Sequence, residues 1–322
     1  VHKKIFFDDQ SNSSDVKETD IRTHMPKILD ILLIDRTKST PSKIKNIIWA
    51  NDNYLHYGAS KKNMYQPTYE ILPDLISGAK ESLIRPRALK SKELQKERTK
   101  TKAEVFTPIW VVKMQNDIID ENFKDDDLET YINRKWLEIT CGEGPYMVTR
   151  YHVDTDKNIE TNDSKELIAL QDRQGFIDRK LRRINNEIDD KADWQFFVEL
   201  AFKSSYGFEW NGDSLLLARE NLLYTYRDFY FEKWREEPSE VLFEKIAVII
   251  SYNVFQMDGL NYTIPLTKGK DRTIVQTKTE LTLFGEETTE HTETIPGSVG
   301  KRVKIMNWNT LKMEYFDEGI DA

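Results

Sequence analysis

The sequence predicts a layered α/β protein, on three observations. Between residue 103 and about residue 265, short apolar runs alternate with longer runs of helical period, as strands lying under helices do. One short run, "WLEIT" (136–140), carries an acid and turns at once through Gly142 and Gly144, where a missing side chain lets backbone approach a ligand. The chain has 322 residues, 39% hydrophobic and 32% charged, which is enough to bury a full core and ordinary for a globular domain.

Taken in order, the first twenty residues are polar and Ser/Asp-rich and read as a loosely held arm. From Ile21 to Leu83 apolar residues recur at helical intervals, broken by prolines and Asn/Asp/Ser clusters, so a small helical region is expected there. The basic stretch "IRPRALKSKELQKERTKTK" (84–102) reads either as a solvated helix or linker, or as a segment contacting phosphates. Strands are expected at "WLEIT", at "YGFEW" (206–210) and within "EKIAVIISYNVFQM" (244–257), which runs as helix or strand into a turn. Helices are expected over "PIWVVKMQNDIIDENF", "IDRKLRRINNEI", "WQFFVELAFKSS" and "DSLLLARENLLYTYRDFYFEKW". Residues 267–300 are Thr/Glu-rich with weak periodicity and read as an exposed, partly mobile excursion. The expected division is 1–102, an N-terminal arm and helical region, and 103–322, the main domain, with a helical insertion near 152–195 and the excursion near 267–300.

Composition narrows the function classes. A net charge of −8 and a pI near 5.4 argue against a surface coated in basic patches, although a local patch can still steer a nucleic acid. There is no 18-residue apolar run and no signal-peptide pattern, so a membrane location is not expected. The single cysteine, Cys141, cannot form an internal disulfide, which fits a reducing, cytoplasmic setting. The five histidines are scattered without metal-ligand spacing, so no metal is expected.

Four stretches can carry chemistry. In "LEITCGEGPY" (137–146), a strand ending in Glu138 turns through Gly142 and Gly144 toward a helix expected near Pro145; it reads as a cofactor cradle or as a structural turn. In "YGFEWNGDSLLLARENLL" (206–223), Glu209 at a strand end can accept both hydroxyls of a ribose, and Trp210 can pack on an adenine; the alternatives are a helix-start acid and a core indole. In "SYNVFQMDGL" (251–260), Asp258 can accept an adenine amine, while "DG" is also a plain turn signal. In "AEVFTPIWVVKM" (103–114), Thr107 before Pro108 can cap a helix and turn its N-terminus toward a carboxylate, or serve as a cap alone.

In this order, over roughly 85–265, the four stretches resemble the gamma-class adenine-N6 DNA methyltransferases, in particular the methylase-like proteins labelled restriction endonuclease subunit M. The resemblance implies a Rossmann-like, S-adenosylmethionine-dependent methyltransferase fold with a helical N-terminal extension. It implies that Phe106, Thr107 and Pro108 touch the methionine end of the cofactor. Glu138, Thr140, Cys141, Gly142 and Gly144 match the turn after the first strand, with Glu-Ile-Thr where the family has Asp-Pro-Ala. Glu209 and Trp210, followed by Ala218, Arg219, Asn221 and Leu222, match the second strand and its helix. Asp258, Gly259 and Leu260 match the adenine turn. DNA is the implied partner, with a restriction or specificity subunit of a restriction-modification or related defence system beside it.

Two departures stand out. Gly144 and Glu209 lie much farther apart than in related nucleotide folds, which requires the insertion near 152–195; its basic run "DRKLRR" (178–183) reads as a solvated helix face or as a DNA-facing one. The family's Asn/Asp-Pro-Pro-Tyr/Phe segment, which positions and stacks on the target base, is missing, since no two prolines are adjacent. Phe316 and Asp317 resemble the start of the strand leading into that segment, but no such segment appears through Ala322. No catalytic residue is therefore assigned. Three accounts stay open: a methyltransferase whose catalytic loop has diverged or lies elsewhere, a cofactor- and DNA-binding subunit without turnover, and an interaction module with no cofactor. A nuclease would need an acid-rich magnesium site, of which "DVK" (15–17) is only a fragment.

Overall fold

A computed structural model describes residues 16–58, 63–80, 83–90, 96, 98–100, 107–151, 167–269 and 297–318, together with the backbone of 272–282 and 285–295. Helices α1 (Glu18–His24) and α2 (Pro26–Leu33) open the described chain, with Pro26 in the first turn of α2, where its missing N–H costs nothing. Ile28, Leu29, Leu32 and Leu33 are buried completely. Beyond them, the helical region expected to Leu83 is mostly irregular. Prolines at 41, 67 and 73 interrupt it, bridges pair Ile34 with Asn46 and Ile48 with Glu70, and among the described residues of the later helical period only the four-residue α3 (Pro73–Ile76) forms an α-helix.

Helices α4 (Ile109–Asp120) and α5 (Leu128–Asn133) lead into β1 (Trp136–Glu138). Asp127 caps α5, accepting from the Thr130 N–H at 3.0 Å. The crossover to β2 (Ser205–Glu209) contains α6 (Phe176–Glu187) and α7 (Lys191–Lys203), the latter capped by Asp190 on the N–H groups of Ala192 and Asp193. The crossover to β3 (Val254–Gln256) contains α8 (Gly212–Trp234) and α9 (Glu240–Asn253). The strands are parallel in the order β1-β2-β3, with Glu138 opposite Gly207 and Glu209 opposite Gln256. The chain is therefore mixed α/β, with helices packed on a three-stranded parallel sheet.

Both faces of β2 and β3 are covered, as parallel strands require. One hydrophobic cluster joins α1 and α2 through α8 to Trp136 and Val254. A smaller one, Phe208, Phe255, Met257, Ile264, Val303 and Phe316, closes the opposite face. Helix α8 is buried nearly all round and acts as the central post of the molecule. Arg219 on it is fully buried, yet donates to the carbonyls of Leu32, Ile34, Ser251 and Val254, fastening α2, α9 and β3 to one guanidinium.

Two expectations change here. The excursion expected at 267–300 contains an antiparallel pair of eleven-residue strands, β4 (Arg272–Thr282) and β5 (Gly285–Ile295). Backbone pairing of threonine-rich strands needs no hydrophobic period, which is why none was legible. A short hairpin, β6 (Lys304–Asn307) and β7 (Lys312–Tyr315), follows. The basic run 178–183 is not a fully solvated helix face: Asp178, Lys180 and Leu181 are buried, and Arg179, Arg182 and Arg183 are half-buried. Lys180 is buried and donates to the carbonyls of Ile132 and Arg134 and to the Ser204 hydroxyl. Arg179 pairs with Asp117 and Asp120, and Arg182 and Arg183 donate to backbone carbonyls. Among the described residues, no helix is long and apolar enough to cross a membrane.

Candidate functional site

In an open parallel sheet, the carboxyl ends of the strands form the natural ligand crevice. Here β1 ends in Glu138, β2 in Glu209, and Asp258 lies two residues beyond β3. Over these ends runs the turn 139–147. Thr140, Gly142 and Gly144 all have positive φ, at 48°, 53° and 78°. For Thr140 this is a strained conformation, since a β-branched residue rarely enters the left-handed region.

Buried carboxylates hold the turn. Glu138 accepts from the N–H groups of Tyr146 (3.2 Å) and Met147 (2.8 Å). Glu209 accepts from the Gly142 N–H at 2.9 Å through one oxygen, and from the backbone and side-chain N–H groups of Asn211 through the other. Burial pushes the Glu138 carboxyl up to about 8, and the neighbouring Glu209 adds to the effect. Burial raises Glu209 as well. The Cys141 N–H donates to the Phe208 carbonyl, and burial together with both carboxylates raises its thiol, so Cys141 is a packing residue rather than a nucleophile.

The two glycines do different things. A Cβ on Gly142 would meet nothing within 4 Å, so the turn is open there. A Cβ on Gly144 would lie 3.2 Å from Met147 Cε and 3.6 Å from Ala218 Cβ, so Gly144 lets the turn sit close on α8. Asn221, one turn further along α8, donates to the Glu143 carbonyl and to the Tyr151 hydroxyl.

No helix begins near Pro145, contrary to the sequence pattern; residues 145–147 form a turn, and the next described α-helix is α6. The reason is local. Carbonyls that would continue a helix are taken by the start of α6: Tyr146 O accepts from Phe176 N–H and Met147 O from Ile177 N–H. Asp178 accepts from the Thr149 N–H at 2.8 Å, completing the junction.

The remaining expected site residues are placed as follows. Phe106 lies outside the described residues. Thr107 does not cap α4: Pro108 occupies the N-cap position without a side-chain bond. Helix α4 nevertheless meets the turn, since Asn116 donates to Tyr146 O, and Ile109 shares a cleft with Glu143 and Pro145. Trp210 is half-buried, with its indole N–H on the Ala50 carbonyl at 2.8 Å, which ties its edge to the N-terminal region. Asp258 turns back on its own loop, accepting from the N–H groups of Leu260 and Asn261 and from the Asn261 amide. Gly259 allows that loop to pass Phe208, where a Cβ would sit 2.7 Å from Phe208 Cε2.

Sequence reasoning passed over Glu143, Arg150 and Tyr151. Glu143 is buried and accepts from Arg87 N–H (2.8 Å) and from the Tyr151 hydroxyl (2.7 Å). The available signal was an acid placed between the two glycines and an arginine-tyrosine pair just beyond them.

Chemically, the crevice presents an open left-handed turn and a buried acceptor directly beside it. Glu209 can accept from hydroxyl donors only by exchanging its contact with Gly142 or Asn211. No protein-family model, no curated protein and no solved structure matches the chain.

Proposed function

We propose that this chain binds S-adenosylmethionine in a Rossmann-like methyltransferase fold and serves the N6-methylation of adenine in DNA, within a restriction-modification or related defence system. The observation that carries the reading is the contact of Glu209 with the Gly142 N–H at 2.9 Å. It puts a buried acid from the second strand against the glycine turn of the first, where the ribose of an adenosyl group would take both. Glu138 shapes the turn from beneath rather than touching the ligand. Asp258 reaches the adenine amine only by releasing part of its own loop. In this reading Thr107 and Pro108, which precede the first turn of α4, would meet its amino-acid end. The cofactor supplies an electrophilic methyl group; these residues hold and orient it.

A second reading has its own support. No two prolines are adjacent in the sequence, so this chain offers no Asn-Pro-Pro-Tyr-like segment to hold a flipped adenine. A cofactor- and DNA-binding subunit that does not turn over by itself accounts for that directly.

Calorimetric titration with S-adenosylmethionine tests the first step. One-site binding is expected, weakened in Glu209→Ala by about 1.5–3 kcal/mol, the scale of lost charge-assisted hydrogen bonds. Labelled-methyl transfer to DNA then separates the enzyme from the binding subunit. A wild-type chain that does not bind the cofactor rejects both.

A further inference from the structure

Helix α4 buries only Val112 and Asn116, and Asn116 is committed to the fold, donating to the carbonyls of Tyr146 and Gln174. Its large apolar side chains stand on the other side. Trp110 is 67% exposed, Met114 49% and Ile118 65%. Spaced four residues apart, they form one continuous ridge along the helix. Among the described residues, every other α-helix exposes at most one large apolar side chain. A helix that turns more apolar surface to water than to its own core carries a contact surface on its outer face.

The charges beside the ridge select its occupant. Lys113 pairs with Asp117 one turn on, Arg179 with Asp117 and Asp120, and Lys124 with Glu121. Each of these cations already has a carboxylate, so the ridge offers no surplus positive charge to the phosphates of a nucleic acid or of a membrane surface. What fits an apolar ridge edged by one lysine and one aspartate is the same ridge reversed. An antiparallel copy sets Lys113 of each chain on the side of Asp117 of the other, whereas a parallel copy sets like charges together. Reversal also lays the first turn of α4, which has no acid and no side-chain cap, beside the end where Glu121 stands, as the helix dipole favours.

We infer that two copies of this chain associate through α4, antiparallel about a two-fold axis at Met114, with Trp110 of each copy against Ile118 of the other. One patch then supplies both halves of the interface. A pair of twelve-residue helices is a small contact, so the association is weak and depends on concentration. The ridge lies opposite Asn116, and the pairing therefore leaves the glycine turn on the other side of the helix. The association does not depend on the cofactor reading.

Sedimentation equilibrium of the full chain over roughly 1–100 μM tests it, the range of a small interface. The wild type should show a monomer–dimer equilibrium. Trp110→Lys and Ile118→Glu should each weaken it by about tenfold or more, since each sets a charge against an apolar side chain of the second copy. An equimolar mixture of the two variants should associate more tightly than either alone. The antiparallel register brings the two substituted positions together as an ion pair at one end and keeps the contact of Trp110 with Ile118 at the other. Both positions are exposed, so the unfolding midpoints should match that of the wild type. Met114→Asp, which sets two like charges on the axis, is the second variant should either fail to fold, and it should also be monomeric. A wild type that stays monomeric throughout overturns the inference whether or not the variants fold. A dimer that the substitutions leave intact overturns it too, as does a mixture no tighter than its components.

Discussion

The acids at the ends of β1 and β2 and the acid beyond β3 are used in opposite ways. Glu138 and Glu209 are buried and spend their oxygens on backbone N–H groups of the turn and of the start of α8. Asp258 is only half-buried and bonds Leu260 and Asn261 of its own loop, with Leu260 itself 92% exposed. One half of the crevice is part of the folding core; the other is a self-contained turn laid on top. The difference teaches which half is preformed. On the cofactor reading proposed above, both sides exchange existing bonds to receive a ligand, Glu209 those to Gly142 or Asn211 and Asp258 those of its own loop, but the glycine-turn side is held in place by the core while the β3 loop is held only by itself.

The largest effect expected from breaking this contrast is that of Glu138→Ala. It leaves the buried Met147 N–H without an acceptor, at about 1–3 kcal/mol, and the half-buried Tyr146 N–H without one at a smaller cost. Urea denaturation should show a loss of several-fold more than any change at Asp258, and cofactor binding should fall with it because the turn loses its floor. A stability equal to wild type would mean that α6, through Phe176, Ile177 and Asp178, holds the turn unaided.

Titration sharpens the same contrast at a smaller scale. The Glu138 carboxyl lies at about 8 in the folded chain, against about 4.3 in an unfolded one. The folded state therefore holds the proton more tightly, and this contribution to stability is full below the unfolded value and lost as pH rises through about 8. The wild type should lose stability relative to Glu138→Gln between pH 5 and pH 9, because the amide cannot ionise. A wild type that gains on the variant as pH rises would show that the two backbone donors outweigh burial and keep Glu138 charged.

The contrast also explains what could be read in the sequence. The α/β class was legible because β1, β2 and the helices between them carry periods that packing imposes. The pairing of an acid at a strand end with glycines after it was legible at Glu138 and Gly142, since both requirements are local. The missing helix near Pro145 was not, because the start of α6, some thirty residues away, takes the carbonyls at Tyr146 and Met147. Arg150 and Lys180 were hidden for a related reason. Burial of a charged side chain depends on which distant carbonyls or carboxylates surround it, and spacing along the chain holds no record of them. The β4 and β5 strands escaped because their threonines and glutamates carry no hydrophobic alternation.

The smallest effect is expected at Asp258. Its bonds close a turn that water can reach, so Asp258→Ala should cost about 0.5–1 kcal/mol of stability, the net value of a local hydrogen-bonded cap. Affinity should drop by less than tenfold, because in the ligand-free chain the carboxylate already has donors and gains little by exchanging them for an adenine amine. The comparison with Glu209→Ala in the same titration is the informative one. Should Asp258→Ala weaken binding as much as Glu209→Ala while leaving unfolding unchanged, the β3 loop would be the anchor of the ligand, and the buried acids of β1 and β2 would be scaffold alone.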